Sequence, residues 1–299
     1  MGQRSHWDRV RNRIEQLTDQ ARSIPQLWRP PARAAEGDGV AVLAVSFNTL
    51  ALTKLMLLTL AEARCPEIRR VVVVDNGSVD GSADFLAGLR ASAVELVRHR
   101  GPATHGAGLR RGMDHIRATD ALFPARRTGL VLLLDSDVIV LKSTLCARLT
   151  QACQPADVAA AGELQFDVGE PYAHPCCLMV RRSCYESRGI WPFVHHGAPA
   201  LFFQRSARAR GRRVVDVPVR KEDYIVHRGQ GTLETLAQFA PGHPNRWGRY
   251  HAHYDGNPRG ETLWQRAEQR HAERLQIGNQ PAAIAYIAER FPPLAEAVP

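Results

Sequence analysis

VLLLDSDVIVL occupies residues 131–141 and joins an apolar run to the acidic triplet Asp135-Ser136-Asp137. Four consecutive aliphatic residues are typical of a strand that is buried on both faces, as in a parallel sheet between helix layers. Such a strand brings the residues that follow it to the carboxyl edge of the sheet, where open α/β folds bind ligands. Two carboxylates one residue apart at that edge suit a divalent cation that neutralises a diphosphate. An isolated triplet of this kind is more often an acidic turn.

The same arrangement, an apolar run followed by polar residues, occurs twice earlier in the chain. VAVLAVS (40–46) ends at Phe47-Asn48, and VVVVD (71–75) ends at Asp75 before Asn-Gly-Ser. The segments between these runs are predicted helices and one further strand. The helices are LALTKLMLLTLAEARC (50–65), VDGSADFLAGLR (79–90) and HGAGLRRGMDHI (105–116), and the strand is VELVRHR (94–100). This alternation predicts βαβ units and an α/β fold with a mostly parallel sheet.

These motifs, in this order, carry a resemblance to a known family. The succession of SFN, VDNGSVDGS, GLRRGM and LLLDSD resembles the inverting family 2 glycosyltransferases, which have the Rossmann-like GT-A fold. The resemblance covers roughly residues 39–230. It implies that Asp75 contacts the nucleotide base and that Phe47 and Asn48 help to hold the nucleoside. Asp75 followed by Asn-Gly-Ser is also a favourable turn sequence, so a purely structural role for Asp75 is the alternative.

The resemblance also implies a metal site. In the family the acidic triplet, here Asp135-Ser136-Asp137, binds the metal and the diphosphate of the sugar nucleotide, and its second carboxylate is the firmer ligand. A histidine in a late strand often completes the site, and YIVHRGQGT places His227 at that point. A structural histidine is the alternative there. Arg111 stands where the family usually has an asparagine before a glycine; it either pairs with a phosphate or is a solvated helix residue.

The sequence departs from the family at the catalytic base. Members commonly carry a Glu-Asp pair before a helix that contains an arginine, whereas the residues before LFFQRSARARG (201–211) are HHGAP. An inverting transfer needs a base to take the acceptor proton. We rank His196 (or His195) first, because imidazole titrates near neutral pH, and Asp167 or Glu170 second. Loss of the base is the third alternative, and it would make the chain a catalytically silent module.

Composition limits the partners and the compartment. The 299 residues carry a net charge of +9, and the pI is about 9.7. This charge suits a nucleotide diphosphate or an anionic membrane surface. Nucleic acid is disfavoured, because the arginines are dispersed and neither zinc-finger spacing nor an RNA-binding aromatic signature occurs. The six cysteines form no CxxC motif and the chain shows no signal-peptide pattern. We therefore expect reduced thiols and a cytoplasmic enzyme, peripheral to the inner face of the membrane if its acceptor is a lipid.

The predicted organisation has three parts. Residues 1–38 form a basic amphipathic helix and a linker, and the helix packs on the domain, on a second subunit of a homodimer or on a membrane surface. Residues 39–230 form the GT-A domain, and residues 231–299 form a helical extension. Within that extension, residues 241–260 are dense in histidine, arginine and aromatic residues. They form either a loop over the donor and acceptor or a surface loop.

The function predicted from these motifs is a metal-dependent, inverting transfer of a sugar. The donor is a UDP-, dTDP- or GDP-sugar, the cofactor is Mn²⁺ or Mg²⁺, and the acceptor is a sugar, a lipid-linked molecule, a peptide or a small molecule. The first rival is the silent module, which binds a nucleotide sugar or a partner. The second rival is a nucleotidyltransferase, which would normally show a basic, glycine-rich loop after the first strand; SFNTLALTK is not such a loop.

Overall fold

A computed structural model describes residues 6–28, 39–99, 103–123, 127–166, 169–194, 198–229, 231 and 252–293, with side chains from residue 13 onward. Nine strands occur in these ranges: β1 Val40–Ser46, β2 Ile68–Asp75, β3 Val94–Arg98, β4 Leu130–Leu134, β5 Val138–Val140, β6 Val158–Gln165, β7 Tyr172–Arg181, β8 Arg213–Asp216 and β9 Ile225–His227. Seven of them form one sheet in the order β3-β2-β1-β4-β7-β6-β8, and β5 pairs with β9 in a separate two-stranded sheet.

The main sheet is parallel on one side and mixed on the other. Strands β3, β2, β1 and β4 are mutually parallel, whereas β7 runs antiparallel to both β4 and β6. The aliphatic runs in β1, β2 and β4 are buried on both faces, as their continuous apolar sequence predicts. The predicted strands at 40–46 and 71–75 are confirmed, and the latter begins three residues earlier. The strand expected over 94–100 ends at Arg98.

Helices cover both faces of the sheet, in agreement with the predicted α/β class. Ten are described: α1 His6–Ser23, α2 Leu50–Ala63, α3 Ser82–Gly88, α4 His105–Leu122, α5 Leu145–Ala152, α6 Arg182–Tyr185, α7 Leu201–Arg208, α8 Gly260–Arg270, α9 Ala272–Leu275 and α10 Gln280–Arg290. Helix α4 approaches β1 closely at its glycines: a Cβ atom added at Gly108 would lie only 2.8 Å from Val45. This close packing explains the glycines of the GLRRGM segment. Residues 232–240 of the predicted helical extension lie outside the described residues.

The C-terminal helices pack on the core that the sheet forms. Ile287 of α10 is fully buried with the residues of β2 and α2, and Phe291 accepts a hydrogen bond from the amide of Ala93 at 2.8 Å. Trp264 of α8 is buried against Ile139 and Val226 of the two-stranded sheet. The described part of the extension therefore supports the strands that carry the acidic triplet. The predicted boundaries at residues 38 and 230 stay predictions.

Helix α1 contacts the rest of the protein through polar side chains. Asp19 is buried and pairs with Arg110 of α4 at 2.5 Å, whereas Ile14 and Leu17 are 58% and 49% exposed. Packing on the domain, one of the three alternatives for this helix, is thus observed. None of the helices in the described ranges has the length and apolarity needed to cross a membrane. All six cysteines are free thiols and buried.

Candidate functional site

The acidic triplet lies in a tight turn between β4 and β5. The amide of Asp135 donates to the carbonyl of Cys176 on the adjacent strand β7 at 3.1 Å, and the amide of Val138 donates back to the carbonyl of Asp135 at 3.2 Å. The first bond continues the β4–β7 ladder by one residue, and the second reverses the chain into β5. Ser136 is buried and its hydroxyl accepts from the Thr49 hydroxyl at 3.3 Å. The triplet is therefore held by both flanking segments at the carboxyl edge of the sheet.

Pairing of β5 with β9 brings His227 to the triplet. Val138 is in register with His227, and the amide of Arg228 donates to the carbonyl of Asp137 at 2.9 Å. The Nε2 atom of His227 lies 3.3 Å from Oδ1 of Asp137 and 3.9 Å from Oδ2 of Asp135. One ligand atom from each of these three residues falls within 4.8 Å of the other two. The structure thus brings together the three metal ligands predicted from the sequence.

These atoms fit a small divalent cation. With bonds of about 2.1 Å, an octahedral ion keeps its ligand atoms roughly 3–4.3 Å apart, close to the spacing observed here. Two carboxylates and one imidazole also form a donor set that Mn²⁺ accepts. Asp135, Asp137 and His227 therefore suit such an ion with little rearrangement.

Asp255 orients the histidine, and the sequence did not single it out. Its Oδ2 atom lies 2.8 Å from Nδ1 of His227, so that Nε2 is directed towards the acidic triplet. Arg220 holds the same carboxylate at 2.6 Å and reaches Glu163 at 3.3 Å. The backbone of Asp255 is left-handed, with φ of 48°, an unusual conformation for a residue other than glycine. A carboxylate behind a histidine ligand is the usual outer shell of a metal site. The only sequence signal for Asp255 was its place in residues 241–260, which are dense in histidine, arginine and aromatic residues.

The pKa values of the two aspartates, Asp135 and Asp137, are shifted in opposite directions. Burial would raise the pKa of Asp137, but the charge and hydrogen bond of His227 and the amide of Gly231 outweigh it and lower that pKa to about 2. Burial raises the pKa of Asp135, although nearby His105 opposes the shift. Burial would lower the pKa of His227, but the charges of Cys176 and Asp137 raise it well above its usual value. Asp137 is thus the firmly ionised carboxylate of the pair, and its role as the firmer ligand stays a prediction.

Two further histidines border the site and were missed from the sequence. His105, at the first turn of α4, places Nε2 3.3 Å from Oδ1 of Asp135 and is partly exposed. His174, on β7, stacks on His227 with ring centroids 5.7 Å apart. Burial, followed by the charge of His227, lowers the pKa of His174 to about 3, so that its ring is neutral. Neither residue lies in a recognisable motif, and only the sheet pairing brings His174 here.

The residues predicted to hold the nucleoside lie in two loops that bind each other. The side-chain oxygen of Asn48 accepts from the amide of Val79 at 2.7 Å, and the amide of Asn48 donates to the Ser78 hydroxyl at 2.9 Å. Asp75 is buried and accepts from the amides of Gly77 and Ser78, each at 3.3 Å. The turn role of Asp75 is therefore observed. Phe47 is half-buried in the first of these loops.

Arg111 is exposed on α4 and lines a cleft of about 610 Å³ between α4 and α1. Thr104 and His99 line the same cleft, and His99 directly follows β3, the neighbour of β2. The structure therefore places Arg111 on the side of the sheet edge where Asp75 lies. Both alternatives for it, phosphate contact and solvated residue, remain predictions.

Of the candidate catalytic bases, only Glu170 lies within the described residues. His196, with His195, and Asp167 lie outside the described residues. Glu170 is described and forms an ion pair with Arg205 of α7, and its second oxygen lies 3.8 Å from Arg208. A carboxylate between two arginines has its proton-accepting oxygens engaged. Those contacts weaken the case for Glu170 relative to His196.

Comparison with known proteins places the chain in a family. The model of the family described as Glycosyl transferase family 2 matches residues 42–203, more than half of the chain. No curated protein matches the chain significantly. Among solved structures, a mannosyltransferase from Pyrobaculum calidifontis, in complex with GDP-Man and Mn²⁺, is 17% identical with a TM-score of 0.50; the match covers 94% of this chain and 83% of that chain. This likeness shows the shared fold.

Two other solved structures are similar at lower scores. S. aureus TarS, residues 1–349, is 14% identical with a TM-score of 0.48, and the match covers 85% of this chain and 81% of that chain. M. tuberculosis glucosyl-3-phosphoglycerate synthase is 14% identical with a TM-score of 0.44, covering 64% of this chain and 76% of that chain.

Proposed function

The chain belongs to glycosyl transferase family 2, and on that premise we propose that it moves a sugar from a nucleoside diphosphate sugar to an acceptor hydroxyl, with inversion at the anomeric carbon and with the aid of Mn²⁺ or Mg²⁺. The observation that carries the proposal is the convergence of Asp135, Asp137 and His227, whose ligand atoms lie within 4.8 Å of one another. The acceptor is a sugar, a lipid-linked molecule, a peptide or a small molecule.

The residues around the cation have separate tasks in this proposal. Asp137 stays ionised and is the principal anionic ligand, and Asp135 is the second. Asp255 holds the ring of His227 so that Nε2 faces the ligand position. When bound, the cation neutralises the charge that develops on the departing diphosphate. His105, beside Asp135 and partly exposed, lies where it can donate a hydrogen bond to a phosphate oxygen.

We propose Asp75 as the residue that selects the base. A carboxylate can accept a hydrogen bond from N3–H of uracil or thymine, or from N1–H of guanine, whereas adenine and cytosine lack that ring donor. This favours UDP-, dTDP- and GDP-sugars. Phe47 and Asn48 border the same loop pair, and Arg111 is proposed to contact a phosphate from α4. The GDP-Man and Mn²⁺ in the structure of the Pyrobaculum mannosyltransferase are consistent with this assignment.

The proton of the acceptor requires a base. We propose His196, because the segment before α7 is where the family carries its acidic pair and an imidazole accepts a proton near neutral pH. Asp167 and Glu170 are the alternatives, the latter disfavoured by its arginine partners. A silent nucleotide-sugar module is the second candidate function, and the missing Glu-Asp pair is the observation that favours it.

A donor screen tests the proposal. UDP-, dTDP-, GDP-, ADP- and CDP-sugars are each added with and without Mn²⁺, and both the melting temperature and the release of free nucleoside diphosphate are followed. A ligand stabilises the protein only if it prefers the folded state. An enzyme shows Mn²⁺-dependent stabilisation by one donor class and releases its diphosphate over time. Stabilisation without release, with every candidate acceptor, would favour the silent module, and the absence of any stabilisation would contradict both functions.

A further inference from the structure

A second set of metal-binding side chains adjoins the acidic triplet. Strand β7 carries His174 and Cys176, which are two residues apart and therefore project from the same face of the strand. One ligand atom from each of His174, Cys176 and His227 lies within 4.8 Å of the other two. All three side chains are half-buried or buried, and neither His174 nor Cys176 has a task in the proposed transfer.

The donor set differs chemically from the carboxylate site. Asp135, Asp137 and His227 offer two oxygens and one nitrogen, whereas His174, Cys176 and His227 offer two nitrogens and one sulfur. Oxygen-rich sets suit Mg²⁺ and Mn²⁺, and thiolate with imidazole suits Zn²⁺ and Co²⁺. The two sets share one residue. Nδ1 of His227 is hydrogen-bonded to Asp255 at 2.8 Å, so Nε2 is the nitrogen with which His227 would bind a cation in either set.

We propose that His174, Cys176 and His227 form a binding site for a thiophilic divalent cation such as Zn²⁺, and that its occupation excludes the cation of the carboxylate site because both need Nε2 of His227. Zinc then inhibits the protein in competition with Mn²⁺. Binding of zinc stands on the geometry of the cluster alone, whereas inhibition rests on the proposed function.

The geometry requires a small contraction. Tetrahedral zinc with bonds of about 2.0–2.3 Å keeps its ligand atoms roughly 3.3–3.6 Å apart, so the three side chains move together by up to about 1 Å and a water completes the shell. The amide of Cys176 donates to Nδ1 of His174 at 3.1 Å, which fixes the imidazole relative to the backbone of Cys176. Coordination by His174 therefore replaces this hydrogen bond at Nδ1 or shifts the ring proton away from Nε2. As zinc binds, the thiol proton of Cys176 and the proton on Nε2 of His227 leave to solvent. Burial raises the pKa of the Cys176 thiol, and the positive charge of Arg220 offsets part of this rise.

Cobalt provides the direct test, because a thiolate ligand gives Co²⁺ an intense near-ultraviolet charge-transfer absorption that oxygen and nitrogen ligands do not. The full chain, freed of metal, is titrated with Co²⁺. We expect the thiolate absorption to saturate at one equivalent, to disappear in Cys176→Ser and to remain in Cys177→Ser, the matched control on the opposite face of β7. His174→Phe keeps a ring against His227 and is expected to weaken Co²⁺ binding by at least about tenfold. Absorption that is absent from the unmodified protein, or that survives Cys176→Ser, would overturn the site.

Competition is measured separately, by the electron paramagnetic resonance signal of free Mn²⁺. Zinc is expected to release bound Mn²⁺ from the unmodified protein, and Cys176→Ser is expected to require at least about tenfold more zinc for the same release. Retention of bound Mn²⁺ at saturating Co²⁺ would refute the claim that the two sites share Nε2 of His227. If Mn²⁺ fails to bind at all, the proposed carboxylate site is wrong, and the cobalt absorption still decides the thiolate site by itself.

Discussion

Replacement of Asp255 tests how the cation ligand is positioned. Its carboxylate is the partner of Nδ1 of His227 at 2.8 Å and touches no other atom of the proposed ligand set. In Asp255→Ala the ring loses the contact that directs Nε2 towards Asp137, and the protein loses a half-buried negative charge close to the proposed cation. Removal of an outer-shell partner of a histidine ligand typically weakens metal binding by about 10–100-fold, which corresponds to about 1.4–2.7 kcal/mol. We expect a loss of this size in Mn²⁺ affinity.

The assay is a Mn²⁺ titration in the presence of saturating UDP or GDP, followed by the resonance of free Mn²⁺. Asp223→Ala is the matched control, because Asp223 holds the same segment through Asn257 at 3.3 Å and through Arg259 without contacting His227. We expect this control to leave Mn²⁺ affinity within about twofold of the unmodified protein, against the 10–100-fold loss above. Equal losses in the two variants would mean that Asp255 acts only by anchoring its loop, and unchanged affinity in Asp255→Ala would refute the orientation of His227.

Three further predictions concern the donor, the base and the fold. Asp75→Asn keeps an acceptor for the turn amides but presents an amide to the base, so nucleotide affinity falls by about 1–3 kcal/mol in calorimetry while the melting temperature changes little; undiminished affinity for UDP, dTDP and GDP would exclude the base contact. His196→Ala lowers the transfer rate by about 10²–10⁴-fold with donor binding retained, and a fully active variant beside an inactive Glu170→Gln would move the base to that loop. Asp120 is the shared carboxylate partner of the buried Arg70 and Arg182, which otherwise keep Glu95 and Glu186 as partners. Asp120→Ala therefore lowers the free energy of unfolding by about 3 kcal/mol in urea titrations, the low end of the range for a broken buried pair, whereas Asp157→Ala, at an exposed pair, leaves the midpoint nearly unchanged. Similar effects of the two variants would refute the importance of the Asp120 pairs.

The parts of the fold that follow from local sequence were predictable. The aliphatic runs at β1, β2 and β4 are long enough that burial on both faces is their only favourable arrangement, and each ends in polar residues that mark the sheet edge. The acidic triplet follows such a run directly, so its place was given by the strand. His227 was predicted only through the family resemblance, since its pairing with Val138 joins residues far apart in the chain.

The contacts that complete the site could not be read from the chain. Asp255 reaches His227 across 28 residues and from a left-handed turn, and no periodicity reports either fact. His174 and Cys176 lie in a strand whose antiparallel place beside β4 depends on the topology of the whole sheet. Helix ends were uncertain for a local reason. The helix expected over 79–90 begins only at Ser82, because Asp80 accepts hydrogen bonds from the amides of Leu50 and Ser82 and thereby holds the preceding loop.

The most direct test of the central claim is donor turnover by Asp137→Ala, measured as release of nucleoside diphosphate with Mn²⁺ and after chelation. Asp137 is the carboxylate held ionised, with a pKa of about 2, and lies nearest to Nε2 of His227, at 3.3 Å. We predict that the unmodified protein turns over only with the metal, that Asp137→Ala is inactive under both conditions, and that its nucleotide binding no longer responds to Mn²⁺. Unmodified activity of Asp137→Ala in chelator-treated buffer would contradict the metal site on which the proposed function depends.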